Sequence, residues 1–200
     1  MKIGILGGSF NPIHLGHLII AQDALEAFGL DRILFMPCAS PPHKTAAEMV
    51  SAEHRREMVE AAVADHAPFD VSAVEIERGG VSYSIDTVRQ LQADDPDPEW
   101  NLIIGGDSLA EFHLWRDVEE LLQLCAVLTI VRPGFERDQI AASLGLEPDW
   151  TKKLLAHVAT GHSVKISSSD VRSRIRGGLP IRYLVPDTVS AYIDAHGLYR

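Results

Sequence analysis

KIGILGGSFNPIHLGH, running from Lys2 to His17, is the stretch that sets the architecture. Lys2 to Leu6 is a short apolar run that stops at Gly7 and Gly8, the mark of a buried strand running into a loop. Helical spacing then begins near His17 and runs to about Phe28. It puts Leu18, Ala21, Leu25 and Phe28 on one face, and Gly29 supplies the stop. The turn is neither the G-x-G-x-x-G of dinucleotide-binding folds nor a P-loop, which needs Gly-Lys-Ser/Thr. Its parts still suit a nucleotide. Gly7 and Gly8 let backbone approach a ligand closely, and the helix opening at Gly16 and His17 attracts phosphate through its free amides and dipole. His14 and His17 stand three positions apart and can face one anion.

Outward from there, strand and helix alternate. Arg32 to Pro37 is expected as a strand and Ser51 to about His66 as a helix with Met58, Ala62 and Val63 inward. Phe69 to Ile76 alternates in part and is expected as a strand; Ile85 to Leu91 is helical. Trp100 to Ile104 is an apolar strand ending at Gly105-Gly106-Asp107. Val118 to Leu124 is helical, and Ala126 to Val131 is a strand ending at Arg132-Pro133-Gly134. Helices are expected near Asp138–Leu144 and Thr151–Ala159, with a last short strand at Ser163 to Ile166. Ser167, Ser168 and Ser169 can cap a helix from Asp170 to Arg176, and Asp187 to His196 is a final amphipathic helix closed by Gly197. The pattern argues for a doubly wound parallel sheet with helices on both faces and a small helical C-terminal part after about Asp138. Such sheets bind ligands outside the carboxyl ends of their strands.

Two hundred residues give a prior of one domain spanning 1–200. With 46% hydrophobic and 23% charged residues the chain has enough apolar material for a core. No stretch reaches the run a membrane helix needs, and the apolar start is too short for a signal-peptide core. Two cysteines, Cys38 and Cys125, cannot build a disulfide framework, so the expectation is a cytoplasmic protein with reduced thiols. A net charge of −10 opposes long polyanions, which argues against nucleic acid as partner. Between Lys165 and Arg182, however, five basic residues accompany one acid, Asp170. That is either a solvated surface or a pocket for a small phosphate ligand. A zinc site at His14 and His17 is disfavoured, because no H-E-x-x-H, third ligand or nearby cysteine accompanies them.

The stretch from Gly8 to His17 resembles the (H/T)-x-G-H signature of the nucleotidylyltransferase superfamily, whose fold is Rossmann-like. Ile166 to Arg172, ISSSDVR, resembles its second signature, usually I-S-S-T-x-I-R. More narrowly, the chain is similar to the bacterial nicotinate-nucleotide adenylyltransferases. Five further segments carry that likeness in the family's order: Pro37 to Lys44, Ser82 to Thr87, Gly105 to Asp107, Phe112 to Trp115, and Arg132 to Gly134. Ser84 stands where threonine is usual, and Ser169 and Val171 replace the commoner Thr and Ile.

The resemblance implies adenylyl transfer from ATP to nicotinate mononucleotide, giving nicotinate adenine dinucleotide (deamido-NAD) and pyrophosphate, in NAD biosynthesis. It implies that His14, His17 and Arg172 are catalytic. It further implies an ATP site of Gly7, Gly8, Ser9, Phe10, His14, Gly16, His17, Gly105, Asp107, Ile166, Ser168, Ser169 and Arg172. Lys44, Tyr83, Ser84, Asp86, Thr87, Trp115 and Arg132 would hold the pyridine nucleotide, with Trp115 stacked on its ring. The competing readings are a core tryptophan at Trp115, a helix cap at Asp107, an N-cap with a surface arginine at the second signature, and a solvated loop lysine at Lys44. Magnesium would arrive on the ATP phosphates, with no dedicated protein ligands. Alternatives are the amidated mononucleotide or phosphopantetheine as acceptor, a catalytically silent nucleotide sensor, and a metal-dependent hydrolase, which lacks acidic ligands. The sequence leaves the oligomeric state open, a homo-oligomer included.

Overall fold

Ile3, Ile5 and Leu6 are buried along a strand that runs from Lys2 to Gly8 (β1), as an apolar run bounded by glycines demands. In the computed structural model, residues 1–42, 49–134, 141 and 144–200 are described. β1 leads through the glycine turn to α1 (Leu15–Phe28), then β2 (Arg32–Pro37) and α2 (Ala52–Val63). The Ser51 hydroxyl caps α2 by accepting from the His54 N–H at 3.2 Å. There follow β3 (Phe69–Val71), α3 (Val74–Arg78), α4 (Ser84–Asp94), β4 (Glu99–Gly105), α5 (Gly106–Ala110) and a 3-10 turn at Phe112–Leu114. The rest is α6 (Val118–Leu124), β5 (Ala126–Val131), α7 (Pro148–Leu154), β6 (Val158–Thr160), α8 (Ser168–Arg176) and α9 (Asp187–His196).

The strands form one six-stranded sheet in the order β3-β2-β1-β4-β5-β6. That is the doubly wound order, with its switch point between β1 and β4. β1–β4, β4–β5 and β5–β6 pair in parallel, with Ile5 opposite Leu102 and Leu102 opposite Val127. The carboxyl ends of β1 and β4 bear Gly7 and Gly105, so the sheet delivers both glycine turns to its ligand-binding edge.

The chain divides into two compact units. One comprises Met1–Gly7, Ile20–Ile33 and Tyr83–Ser163; the other comprises Gly8–Ile19, Leu34–Ser82 and Val164–Arg200. In the first, Leu102, Ile103, Val127, Leu128 and Leu121 are buried. In the second, Phe10, Ile13, Phe35, Met58, Val171 and Val189 are buried, each such side chain contributing about 1.5–3 kcal/mol by leaving water. The more helical stretch after Asp138 is shared out: α7 and β6 belong to the first unit, α8 and α9 to the second.

Three expectations are corrected. The strand from Phe69 stops at Val71 instead of Ile76. Ser72 N–H makes a bond to Phe35 O at 2.9 Å, and the Ser72 hydroxyl then accepts from Val74 N–H at 3.3 Å, turning the chain into α3. The helix expected over Thr151–Ala159 spans Pro148–Leu154, and the strand expected at Ser163–Ile166 lies earlier, at Val158–Thr160. Val158, Ala159 and Thr160 pair with Thr129, Ile130 and Val131 of β5, a sheet edge that overrides a short helical period. Residues 161–167 have no regular structure; His162 is held there by Asp23, whose carboxylate accepts from the His162 N–H at 2.7 Å and bonds its Nδ1 at 2.6 Å. The helix expected near Asp138–Leu144 falls almost wholly outside the described residues, as does Lys44. Cys38 and Cys125 are buried free thiols, and burial pushes Cys125 up to about 12. No helix among the described residues is long and apolar enough to cross a membrane.

Candidate active site

In the second unit the chain leaves β1 at Gly8 and turns sharply. Phe10 sits at φ 43°, a left-handed value unusual for a bulky residue, and is held by burial of its ring. That ring fills the space a side chain at Gly8 would need, while a side chain at Gly7 would meet open space. Phe10 also sets its edge against His17, with centroids 5.0 Å apart. His14 and His17 stack face to face at 3.7 Å, with planes 19° apart. This stack needs Gly16: a Cβ there would come within 3.1 Å of the His14 ring and 3.7 Å of Ile166 O.

The histidine protonation follows from these contacts. His14 N–H donates to His17 Nδ1 at 3.2 Å, so Nδ1 of His17 carries a lone pair and a neutral ring has its proton on Nε2. Burial holds His14 down at about 4, so its ring is neutral at pH 7. Its Nδ1 is buried without a hydrogen-bond partner among the described residues. Because the unfolded chain takes up this proton near pH 6.5 and the folded one only near 4, stability is full above about pH 6.5 and falls as pH drops towards 4. We expect wild type to lose about 2 kcal/mol between pH 7 and 5 from this group. Melting curves at the two pH values should show that loss in wild type and not in His14→Gln; equal losses in both would refute it.

The second signature meets the first inside the same unit. The Ser167 hydroxyl caps α8 by accepting from Asp170 N–H at 3.1 Å. The Ser168 hydroxyl donates to Pro12 O at 2.9 Å. Arg172 Nη1 donates to Asn11 O at 2.8 Å, and its Nη2 lies 3.4 Å from the Ser169 hydroxyl. So Ser168, Ser169 and Arg172 are brought onto the loop that carries His14 and His17. Two other basic residues of this stretch turn elsewhere: Arg174 bonds Pro180 O at 3.0 Å, and Arg182 lies over the Tyr183 ring.

Three residues that the sequence did not single out hold this loop. Arg55, 1% exposed, donates to Ser9 O at 2.8 Å, Ala39 O at 3.1 Å and Val50 O at 3.4 Å. A basic residue on the same helix face as Met58 and Val59 is the one signal that could have flagged it. Asn11 accepts at its amide oxygen from Val50 N–H at 3.3 Å and from the Tyr199 hydroxyl at 2.8 Å. The loop before the undescribed residues is tied to the SYSIDT segment, Ser82 N–H bonding Ser40 O at 2.8 Å.

The first unit holds the other candidates. Tyr83 precedes α4, and its carbonyl accepts from Asp86 N–H, Thr87 N–H and the Thr87 hydroxyl. Thr87 is 2% exposed, so its hydroxyl serves the helix start. Ser84 is the first residue of α4. Asp86 pairs with Arg89 at 3.4 Å and Arg116 at 3.7 Å, and Arg116 lies 4.8 Å over the Tyr83 ring. Trp115 is half-buried, tilted against Phe112 with centroids 5.0 Å apart, while the core tryptophan is Trp100. Asp107 lies in the first turn of α5 but caps nothing: its side chain is 93% exposed, 3.4 Å from Arg132. A side chain at Gly105 would meet open space.

The cytidylyltransferase-like family model matches residues 5–174. A probable nicotinate-nucleotide adenylyltransferase of Citrifermentans bemidjiense is 44% identical over 213 residues, covering 100% of this chain and 98% of its own length. The chain belongs to the nicotinate-nucleotide adenylyltransferase family. Another member, from Opitutus terrae and also described as probable, is 45% identical, with 100% and 98% coverage. The chain shares a fold with the nicotinic acid mononucleotide adenylyltransferase of Plasmodium falciparum complexed with NaAD. That structure superposes with a TM-score of 0.76 at 19% identity, covering 99% of this chain and 97% of the other.

Proposed function

We propose that this family member transfers the AMP of ATP to nicotinate mononucleotide, releasing pyrophosphate and forming nicotinate adenine dinucleotide for NAD biosynthesis. The observation that carries this reading is identity of 40–45% along the whole chain to relatives of that name. The joining of the two signatures by Arg172 and Ser168 supports it. Residues 1–200 act in this reading as one nucleotidylyltransferase domain.

The chemistry asks little of a general base. The second pKa of a phosphomonoester is near 6, so the mononucleotide phosphate is already a dianion for much of its population at pH 7. It attacks the α-phosphorus in line, and charge gathers on the bridging and non-bridging oxygens as pyrophosphate leaves. His17 donates Nε2–H to those oxygens. Neutral His14 stacks beneath it and keeps it aimed, while the amides at the start of α1 add a fixed positive end. Arg172, anchored on Asn11 O, turns its remaining donors to the β- and γ-phosphates. Gly7, Gly8, Ser9, Phe10, Gly16, Ile166, Ser168 and Ser169 shape this ATP cradle, and exposed Asp107 accepts from ribose hydroxyls beside Gly105. Magnesium comes as part of the substrate, coordinated by phosphate oxygens and water. Among the described residues no group of three or more His, Cys, Asp or Glu is placed to hold a metal ion.

For the pyridine nucleotide we assign Trp115 to ring stacking, with Tyr83, Ser84 and Asp86 around it, Thr87 acting through the start of α4, and Lys44 and Arg132 on its phosphate. The reading places the protein in the cytoplasm, with no nucleic acid or membrane partner. Pyrophosphate release with magnesium–ATP and, in parallel, nicotinate mononucleotide, nicotinamide mononucleotide and phosphopantetheine tests the assignment. We expect turnover with the first to exceed the others by at least about tenfold, the worth of one charged hydrogen bond. Preference for another acceptor would overturn the substrate, and no turnover with any would overturn the enzyme.

A further inference from the structure

Asn11 is 3% exposed and lies three residues before His14. Three chain segments converge on it within the second unit. Its backbone carbonyl anchors Arg172, and its amide oxygen takes Val50 N–H on one side and the Tyr199 hydroxyl on the other. Tyr199 reaches there from the segment that follows α9. Gly197 closes that helix at φ 60°, and Leu198 N–H bonds back to Ile193 O at 3.0 Å. Tyr199 itself sits at φ 65°, a strained value for an aromatic residue that persists only where surroundings enforce it. Arg172 and Arg55 act electrostatically on the phenol, whose burial still keeps it protonated far above neutral pH, so it is a permanent donor.

We propose that Tyr199 is a positioning residue for adenylyl transfer: its hydroxyl fixes the Asn11 side chain and, through Asn11, the anchoring point of Arg172 and the approach to His14. The proposal rests on the function given above. The Asn11 amide oxygen is an acceptor with two lone pairs, and removing the phenol takes away one of the donors that fix it. The loop then gains freedom in the part that sets the Arg172 fork, and misplacement of that kind is felt in the rate more than in binding.

The test uses the whole chain and begins with wild-type turnover, so that absence of activity counts against the function and not against Tyr199. Tyr199→Phe keeps the ring and removes only the oxygen. We expect kcat to fall about tenfold, KM for ATP to stay within about twofold, and the melting temperature to stay within a few degrees. In a double-mutant cycle with Asn11→Ala, the two losses should not multiply, because Tyr199 acts through Asn11. Unchanged kcat in Tyr199→Phe, or losses that multiply in the double variant, would overturn the proposal. Should Asn11→Ala not fold, Asn11→Ser replaces it in the cycle and the kcat of Tyr199→Phe still decides.

Discussion

His17→Ala is expected to lower kcat by about 10²–10³ while the Kd for ATP changes by no more than about threefold. The reason is that His17 is fixed before substrate arrives. Its Nδ1 takes the His14 N–H, its face lies on His14, and the edge of Phe10 closes its flank. A donor so held costs no reorganisation when charge develops at the phosphorus, and its interaction strengthens only there. That is the condition for an effect on kcat in place of binding. Alanine is a good helix former at this place in the first turn of α1, so the fold should survive. Single-turnover rates with magnesium–ATP, beside ATP binding by calorimetry, separate the two quantities. Loss of ATP affinity by the same factor as the rate would make His17 a binding group, and an unchanged rate would remove it from the chemistry.

The first strand, the turn and α1 were legible in the sequence because apolar runs and glycines act locally. Arg32–Pro37 was legible to the residue for the same reason, since the proline ends what the apolar run begins. α3 and β6 were not. At Ser72 the outcome turned on one side-chain bond to Val74 N–H, and at Val158 on a neighbouring strand some thirty positions earlier in sequence. The same division applies to the site. His14, His17 and Arg172 stand in short motifs and were visible as such. Arg55, Asn11 and Tyr199 belong to hydrogen bonds that span 46, 161 and 188 positions, and no local pattern announces a partner that far away. Thr87 shows the opposite case. It lies in a motif, but its hydroxyl is spent on the Tyr83 carbonyl at the start of α4.

Arg172→Lys should fail to rescue what Arg172→Ala loses. Arg172 already uses one fork nitrogen on Asn11 O at 2.8 Å and presents another near Ser169 at 3.4 Å. The planar guanidinium can therefore be anchored on protein and still offer donors to phosphate. An ammonium on a flexible stem has one centre: it either satisfies Asn11 O or reaches the phosphates. We expect alanine to lower kcat/KM for ATP by about 10³, within the range that arginines contribute to phosphoryl transfer, and lysine to recover no more than about tenfold of that. Arg172→Ala leaves the buried Asn11 carbonyl short of a charged donor, so it should also lose about 1–3 kcal/mol of stability by denaturant titration. The kinetic and stability losses together distinguish an anchored fork from a simple surface charge. A surface charge would be restored by lysine, and its removal would leave the unfolding midpoint where it was. Recovery of more than half the wild-type kcat/KM by lysine would therefore show that charge alone, and not the anchored plane, is what the second signature supplies.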